Sequence, residues 1–301
     1  MAVLVNQSVK RTLLTMAVPM LAGTFAMNAY NLTDTYFVAQ LGTAPLAAMG
    51  YTQPVIMLLT FIAGGFGTGV MTLMSHAIGR HDHADAAKLV THGLLLILLV
   101  TTAMSIAGYL TIDEVFTSLG ADEETLPLVR QYMGLWYLGA LTMSLPMLGN
   151  GLLISMGDSK AASFLMILGT VVNTMLDPIM IFGFLGCPAM GMSGAALATV
   201  ISQAISAITI LVLLHRRHRL LALHGWTFLN WLGSCRRILG FAIPSILTMM
   251  LMPISAGIIT KILSWSGHAA VAAASRNPAA GPATEMKISP NDPRRLEPKG
   301  M

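Results

Sequence analysis

The chain has little charge. Lys, Arg, Asp and Glu together make up 10% of its 301 residues, whereas about a quarter of the residues of a soluble domain are charged. Hydrophobic residues make up 55%. This balance excludes an ordinary soluble protein. The apolar runs are long and unbroken, which favours membrane-spanning helices over the short alternating strands of a transmembrane barrel. The sequence therefore predicts an all-α integral membrane protein.

Cysteines and nucleotide-binding motifs are also scarce. The two cysteines, Cys187 and Cys235, fall on opposite sides of the predicted membrane topology, so we expect no disulfide framework. The glycine-rich stretch Gly64–Gly69 lacks the Lys-Ser/Thr ending of a phosphate-binding loop and lies within a predicted span. His81 and His83 share a loop, where such pairs are usually solvated rather than metal-bound. We therefore expect no enzyme, no cofactor, no nucleic-acid partner and no obligate protein partner.

Seven apolar stretches are each long enough to cross a bilayer. They cover residues 13–37, 46–75, 89–111, 128–155, 161–185, 190–214 and 238–264.

The basic residues of the connectors predict the orientation of these spans. Lys and Arg are concentrated in cytoplasmic connectors of membrane proteins. With the amino terminus in the cytoplasm, every basic cluster falls on the cytoplasmic side, and the other side has Arg130 and the acidic loop at 112–127. The sequence thus predicts a multi-pass protein of the bacterial inner membrane. The cytoplasmic set is Lys10, Arg11, Arg80, Lys88, Lys160, Arg216, Arg217, Arg219, Arg236 and Arg237.

The seventh span repeats the first without a gap. The offset is 225 residues, the difference between Arg236 and Arg11, and it also aligns Pro244 with Pro19. A repeat that restarts after six helices is parallel, as in some secondary transporters, and a second copy would extend to about residue 450. From Ser275 the composition instead becomes polar and proline-rich.

This pattern predicts four regions. Residues 1–214 form the first six-helix lobe, and residues 215–237 form a basic cytoplasmic linker whose composition also suits an interfacial helix on an anionic leaflet. Residues 238–274 are expected to be the first helix of a second lobe that is truncated after this seventh helix. Residues 275–301 are expected to be a disordered tail outside the transporter fold.

Two aspartates, Asp34 and Asp177, stand alone inside apolar spans. A charged side chain near the bilayer centre costs roughly 2.5–3.5 kcal/mol on insertion scales, so such residues usually bind a cation, a proton or a substrate. Tyr30 lies four residues before Asp34, with Asn31 beside them, and Asn173 lies four residues before Asp177. Each spacing places its two side chains on one helix face.

The chemistry of these residues suits a small hard cation. Pro178 cannot donate a backbone hydrogen bond, which frees the carbonyl of Thr174 as a further oxygen ligand. A carboxyl group removed from water also takes up a proton readily. The residues do not choose between sodium and a proton, and no other metal is expected. For Asn173 and Asn150, an interhelical hydrogen-bonding role is an equal alternative.

Several motifs along the chain are typical of one transporter family; they are Pro19, Asn31–Gly42, Leu46–Gly50, Gly149–Gly151, Met156–Ser159, Asn173–Pro178, Gly191–Thr199 and Ala270–Ala273. Through these motifs the chain resembles the multidrug and toxic compound extrusion (MATE) family over roughly residues 10–273. The resemblance implies two six-helix lobes around a central cleft. It also implies export of cationic or amphiphilic compounds across the bilayer in exchange for sodium ions or protons.

The resemblance places the cation-responsive site of the first lobe on Tyr30, Asp34, Asn173, Asp177 and Thr199, and it adds Asn150 to the polar cluster. Ion binding at the two aspartates is expected to change the bend of the first helix at Pro19, and Pro178 is a second hinge. Two alternatives remain open. One is a flippase for a lipid precursor, and the other is a non-transporting membrane fragment or interaction subunit.

Overall fold

The computed structural model describes residues 9–222 and 227–264. For residues 9, 11 and 252–264 it describes the backbone only. The predicted tail from Ser275 and the stretch Ala270–Ala273 lie outside the described residues. Eight α-helices follow one another in the described ranges. They are α1 (Val9–Ala39), α2 (Thr43–Gly79), α3 (His83–Leu110), α4 (Ile112–Ser118), α5 (Leu126–Ser155), α6 (Ser159–Phe182), α7 (Met192–Val212) and α8 (Phe228–Ser264).

Seven of these helices are long and apolar enough to cross a membrane, and only the seven-residue α4 is not. No strand occurs in residues 9–222 or 227–264. The prediction of an all-α membrane protein is therefore confirmed. Short connectors make successive spans antiparallel, so the connectors alternate between two ends of the bundle. The end with the connectors at 80–82, 156–158 and 213–227 is called the basic end, and the opposite end the acidic end.

Aspartates start two of the spans at the basic end. The side chain of Asp82 accepts a hydrogen bond from the backbone N–H of Asp85 at 2.9 Å, and Asp158 accepts one from Ala161 at 3.3 Å. Both are N-caps, which satisfy amide groups that the first turn of a helix leaves without partners. The polar connectors thus fix where α3 and α6 begin.

At the acidic end, α4 is joined to α5 by an ion pair. Arg130 donates through Nη2 to Asp113 Oδ2 at 2.7 Å, and its Nε bonds the other carboxylate oxygen. The hydrogen bonds from Arg130 lower the pKa of Asp113 below its ordinary value. The pair therefore persists at neutral pH and is lost only when acid protonates Asp113.

The spans pack through two apolar clusters and through close helix contacts. Helix α1 packs along α6, α5 and α6 both pack along α7, and α2 packs against α3 and α5. One cluster includes Met74, Ile97 and Leu152, and the other includes Phe116 and Met133. A Cβ atom at Gly139 or Gly149 of α5 would lie 2.2 Å from a side-chain atom of α7. Small residues thus allow the two helices to approach closely, as is common between membrane helices.

The basic connector after α7 has its own structure. Leu213–Arg217 form one π-helical turn, and Leu214 and Leu220 are buried in the first apolar cluster. Asp158 accepts from Arg217 at 3.1 Å and lies 3.2 Å from Nε2 of His218.

Helix α8 then begins at Phe228, ten residues before the predicted span at 238–264. Leu229 and Leu232 in its first turns are 79% and 52% exposed. The amino-terminal part of the predicted linker is therefore folded onto the lobe, and its carboxyl-terminal part is helical. Two compact units divide the chain, Met1–Leu247 and Thr248–Met301. The first holds α1–α7 and the beginning of α8, and the second holds the remainder of α8.

Candidate functional site

Polar side chains from four helices, all of them buried except the half-buried Tyr30, meet in the half of the lobe nearest the acidic end. At 1.5 Å of rise per residue, each lies between about 7 and 14 Å from the acidic end of its own helix. The site therefore lies inside the helical bundle, about one to three turns from the acidic ends of its helices. The residues are Tyr30 and Asp34 on α1, Tyr132 on α5, Asn173 and Asp177 on α6, and Thr199 on α7.

Two hydrogen bonds organise this cluster. The Asn173 Nδ2 group donates to Asp177 Oδ1 at 3.2 Å, one helical turn away. The Tyr30 hydroxyl donates to Thr199 Oγ1 at 3.1 Å, which joins α1 to α7. The second of these bonds ties together helices that are distant in the sequence, because Tyr30 and Thr199 are 169 positions apart.

The acids are enclosed but only partly satisfied. Asp34 is 5% exposed, and Asp177 and Asn173 are fully buried. One oxygen of each has no hydrogen-bond partner: Asp34 Oδ1, Asp177 Oδ2 and Asn173 Oδ1. Neither acid forms an ion pair with any residue that the structure describes. Buried polar atoms are nearly always paired in proteins, and three acceptors without partners in one place fit a ligand that carries positive charge or donates a proton.

The electrostatics of the cluster favour the same ligand. Asp34 and Asp177 are close enough to repel each other, and both act on Tyr132, which is 4% exposed. Two buried carboxylates that interact cannot easily both remain charged. A bound proton or metal cation would neutralise one of them and satisfy the free oxygens.

The ligand chemistry is that of oxygen alone. Carboxylate, amide and hydroxyl oxygens suit hard cations such as sodium. Among the described residues, no group of three or more His, Cys, Asp or Glu side chains is placed to hold a metal ion. The arrangement can therefore bind a proton or a small hard cation, and it contains no soft ligand for a transition metal.

Some residues named from the sequence lie apart from this cluster. Asn150 is 24 residues from the start of α5, about 36 Å along the helix and close to the basic end; its Oδ1 is also buried without a partner. Asn31 is exposed on α1. Pro19 and Pro178 both lie inside continuous helices, α1 and α6.

Two residues of the site were missed in the sequence. Tyr132 gave no signal, because tyrosine is common near the ends of membrane helices, where its hydroxyl reaches the interface. Gln203 lies next to the Tyr30 hydroxyl. It is a polar residue inside the apolar α7, four residues after Thr199, so the helix spacing that pairs Asn173 with Asp177 would also have found it.

Comparison with known proteins gives the family. Residues 19–179 match the family model described as MatE, which is more than half of the chain. The chain belongs to the MATE family. Members of the MATE family are transporters rather than enzymes.

Several curated MATE relatives are similar over most of this chain. It is 34% identical over 270 residues to the FAD transporter of Shewanella oneidensis, covering 90% of this chain and 60% of that protein. It is 26% identical over 204 residues to the probable multidrug resistance protein NorM of Agrobacterium fabrum, covering 68% and 44%. With the multidrug export protein MepA of Staphylococcus aureus it shares 25% over 264 residues, covering 85% and 56%. The chain thus spans between 44% and 60% of the length of these relatives.

Solved MATE structures share the fold. The Vibrio cholerae MATE transporter VcmN in the bent form superposes with a TM-score of 0.82 at 29% identity, covering 89% of this chain and 60% of that one. A MOP superfamily transporter from Pyrococcus furiosus gives a TM-score of 0.78 at 29% identity, covering 90% and 60%. The prediction of a MATE-type fold is confirmed.

Proposed function

We propose that this chain acts in cation-coupled antiport, in which a sodium ion or a proton at Asp34 and Asp177 drives the export of cationic or amphiphilic small molecules. The observation that carries the proposal is the set of orphaned buried oxygens on Asp34, Asn173 and Asp177. Their burial is costly unless a positive ligand occupies the space between them. The multidrug relatives support the class of cargo.

Coupling follows from the position of the acids on two helices. Asp34 is on α1 and Asp177 is on α6, so a shared cation attracts the two helices to each other, and its release removes that attraction. Pro19 lies inside α1, where its ring removes one backbone hydrogen bond and gives a point of bending. Solved MATE transporters include a bent form and a straight conformation, which supports a helix bend as the moving part.

The basic end is proposed to face the cytoplasm of a bacterial cell. The basic side chains that the structure describes are concentrated at this end, whereas the acidic end has Arg130, which is paired with Asp113. This distribution supports an inner-membrane protein with a cytoplasmic amino terminus.

A flavin dinucleotide is a second candidate cargo, because the relative with 34% identity is named an FAD transporter. Such a cargo is anionic. The buried acids of the described lobe would repel it, so its phosphates would have to bind away from Asp34 and Asp177. The negative charges of Asp34 and Asp177 therefore favour binding of a cationic drug and oppose binding of FAD.

Calorimetry tests the ion site on the full chain. Sodium chloride is titrated into purified protein at constant ionic strength, with choline as the balancing cation, and proton uptake is followed by the infrared band of a protonated carboxyl. We expect Asp34→Asn and Asp177→Asn to weaken sodium binding by roughly tenfold or more, or to remove the carboxyl band, because a charge-assisted ligand is lost. Asp113→Asn, which removes an exposed acid, is the control and should bind as the parent does. Unchanged sodium binding and an unchanged carboxyl band in both site variants would refute the proposal.

Susceptibility assays in an efflux-deficient host test the cargo. The chain is expressed alone and also extended by the second lobe of a longer relative, and growth is measured with cationic drugs while FAD export is measured in the medium. Antiport of drugs predicts resistance that Asp34→Asn abolishes. FAD export that survives Asp34→Asn, without any drug resistance, would favour the dinucleotide.

A further inference from the structure

Three polar contacts join α3 to the beginning of α8 at the basic end. Arg237 donates through its two Nη groups to the two carboxylate oxygens of Asp85, at 3.4 and 3.3 Å. The Nδ1 atom of His92 lies 2.8 Å from Ser234 Oγ. The Nε1–H of Trp231 donates to the backbone carbonyl of His92 at 3.3 Å. All three contacts run between the same two helices.

The His92–Ser234 contact has a defined direction. The Ser234 hydroxyl donates to the carbonyl of Asn230 at 3.1 Å, so its oxygen accepts the proton of His92 Nδ1. This assigns the tautomer from the hydrogen-bond network. His92 is 3% exposed and Ser234 is 5% exposed. A buried polar pair of this kind favours one relative position of the two helices, because sliding them leaves the Nδ1 group of His92 without this partner.

The same part of α8 packs closely on α2. A Cβ at Gly69 would lie 2.7 Å from the carbonyl oxygen of Ile238, and a Cβ at Gly65 would lie 2.2 Å from a side-chain carbon of Ile246. Ala242 is fully buried beside Gly69. The beginning of α8 therefore approaches α2 closely at Gly65 and Gly69.

The ion pair between Arg237 and Asp85 is suited to being broken and re-formed. The side chain of Arg237 is 45% exposed, and Asp85 also pairs with Arg80 at 3.4 Å. Exposed ion pairs contribute little to stability, because water solvates both charges when they separate. Asp85 still pairs with Arg80 after Arg237 separates from it, so no buried charge is left unpaired.

We propose that Asp85, His92, Trp231, Ser234 and Arg237 form a latch that holds α8 against the first lobe and releases when the transport cleft opens at the basic end. The sequence repeat makes α8 the counterpart of α1, so the latch connects the first copy of the fold to the beginning of the second. Alternation between two open sides requires such a contact to form and break in each cycle. The inference rests on the proposed transport function, but the latch can be measured without any cargo.

The chain carries a reporter at the latch. Cys235 is next to Ser234 on α8 and is 4% exposed, whereas Cys187, at the acidic end, is exposed. In a Cys187→Ser background, Cys235 is the single thiol. Its reaction with N-ethylmaleimide in proteoliposomes then measures how often α8 separates from the lobe.

Asp85→Asn tests the latch from the α3 side, away from the reporter. We expect Cys235 to react roughly two- to fivefold faster, the range expected from the loss of one exposed ion pair. Asp113→Asn removes an ion pair at the opposite end and should leave the rate unchanged. Arg237→Gln breaks the same pair while Asp85 keeps Arg80, so it tests the latch even if Asp85→Asn folds poorly.

A charge exchange separates the latch from general loosening. Asp85→Arg alone should speed labelling, and the addition of Arg237→Asp should return the rate toward that of the parent. Unchanged labelling in Asp85→Asn and Arg237→Gln, or no recovery in the exchanged pair, would overturn the latch. Unchanged sodium binding and an unchanged carboxyl band in Asp34→Asn and Asp177→Asn would refute the ion site and would not alter the labelling result, so the two failures are distinguishable.

Discussion

At the scale of residues, the site depends on side chains whose burial the membrane makes costly. Asp34 and Asp177 are almost completely enclosed, and each keeps one oxygen without a hydrogen bond. Tyr132 is enclosed beside them. Its hydroxyl oxygen is a neutral ligand that can replace one of the water molecules that a cation loses when it enters the site.

We predict that Tyr132→Phe weakens sodium binding roughly three- to tenfold without unfolding the chain, because one oxygen is lost and the ring remains. Isothermal calorimetry measures the change. Tyr137→Phe is the matched control: Tyr137 is also buried on α5, and its ring packs on Trp136. Equal affinity in the two variants would remove Tyr132 from the site.

The sequence found the acids but not all of their surroundings. An acid inside an apolar run is visible without any structure, and a spacing of four residues identifies the partner on the same helix. The link between Tyr30 and Thr199 spans 169 residues, and on the residues alone no periodicity gives it. Asn150 was grouped with the cluster on resemblance, yet the structure places it near the basic end. A polar residue in a membrane span indicates that its side chain needs a polar partner. The sequence does not identify that partner.

At the scale of elements, small residues decide how closely the helices approach. Gly69 of α2 faces the backbone of α8, and Gly67 of the same helix has room, since a Cβ there would lie 3.7 Å from Leu148. Replacing a helical glycine by alanine gains about 1 kcal/mol in helix propensity. Overpacking costs about 1–3 kcal/mol, so the sign of the effect depends on the space available.

We predict that Gly69→Ala lowers the thermal midpoint of the purified protein by several degrees, because its new methyl group meets a backbone oxygen at 2.7 Å. Gly67→Ala should leave the midpoint unchanged or raise it. In the Cys187→Ser background, a thiol-reactive dye reports unfolding through Cys235, which is buried in the folded protein. A Gly69→Ala protein as stable as the Gly67→Ala protein would show that α8 does not pack on α2 at this point.

At the scale of the whole molecule, charge is divided between the two ends. In the part of the chain that the structure describes, acids at the basic end act as caps and partners, as Asp85 and Asp158 do for Arg237 and Arg217. The excess of positive charge at that end favours its retention in the cytoplasm.

We predict that a periplasm-dependent reporter, such as alkaline phosphatase, is active when inserted at Gly120 and inactive when inserted at Lys160. Gly120 lies between α4 and α5 at the acidic end, and Lys160 lies at the start of α6 at the basic end. The reverse result would invert the proposed orientation. It would also place the latch on the outer side of the membrane.

The sequence by itself determined the class of protein, the number of spans in the described chain and the residues that a bilayer makes costly. These follow from hydropathy and helix periodicity, which are local properties of the chain. Only the tertiary structure decided which distant side chains meet. In the folded chain, Tyr132 lies beside the two aspartates, whereas Asn150 lies near the basic end. Helix α8 begins at Phe228, and His92 contacts Ser234, which is 142 positions away in the sequence. Helix packing decides these contacts, because rotation or sliding of a helix by one residue changes its partners without changing its hydropathy.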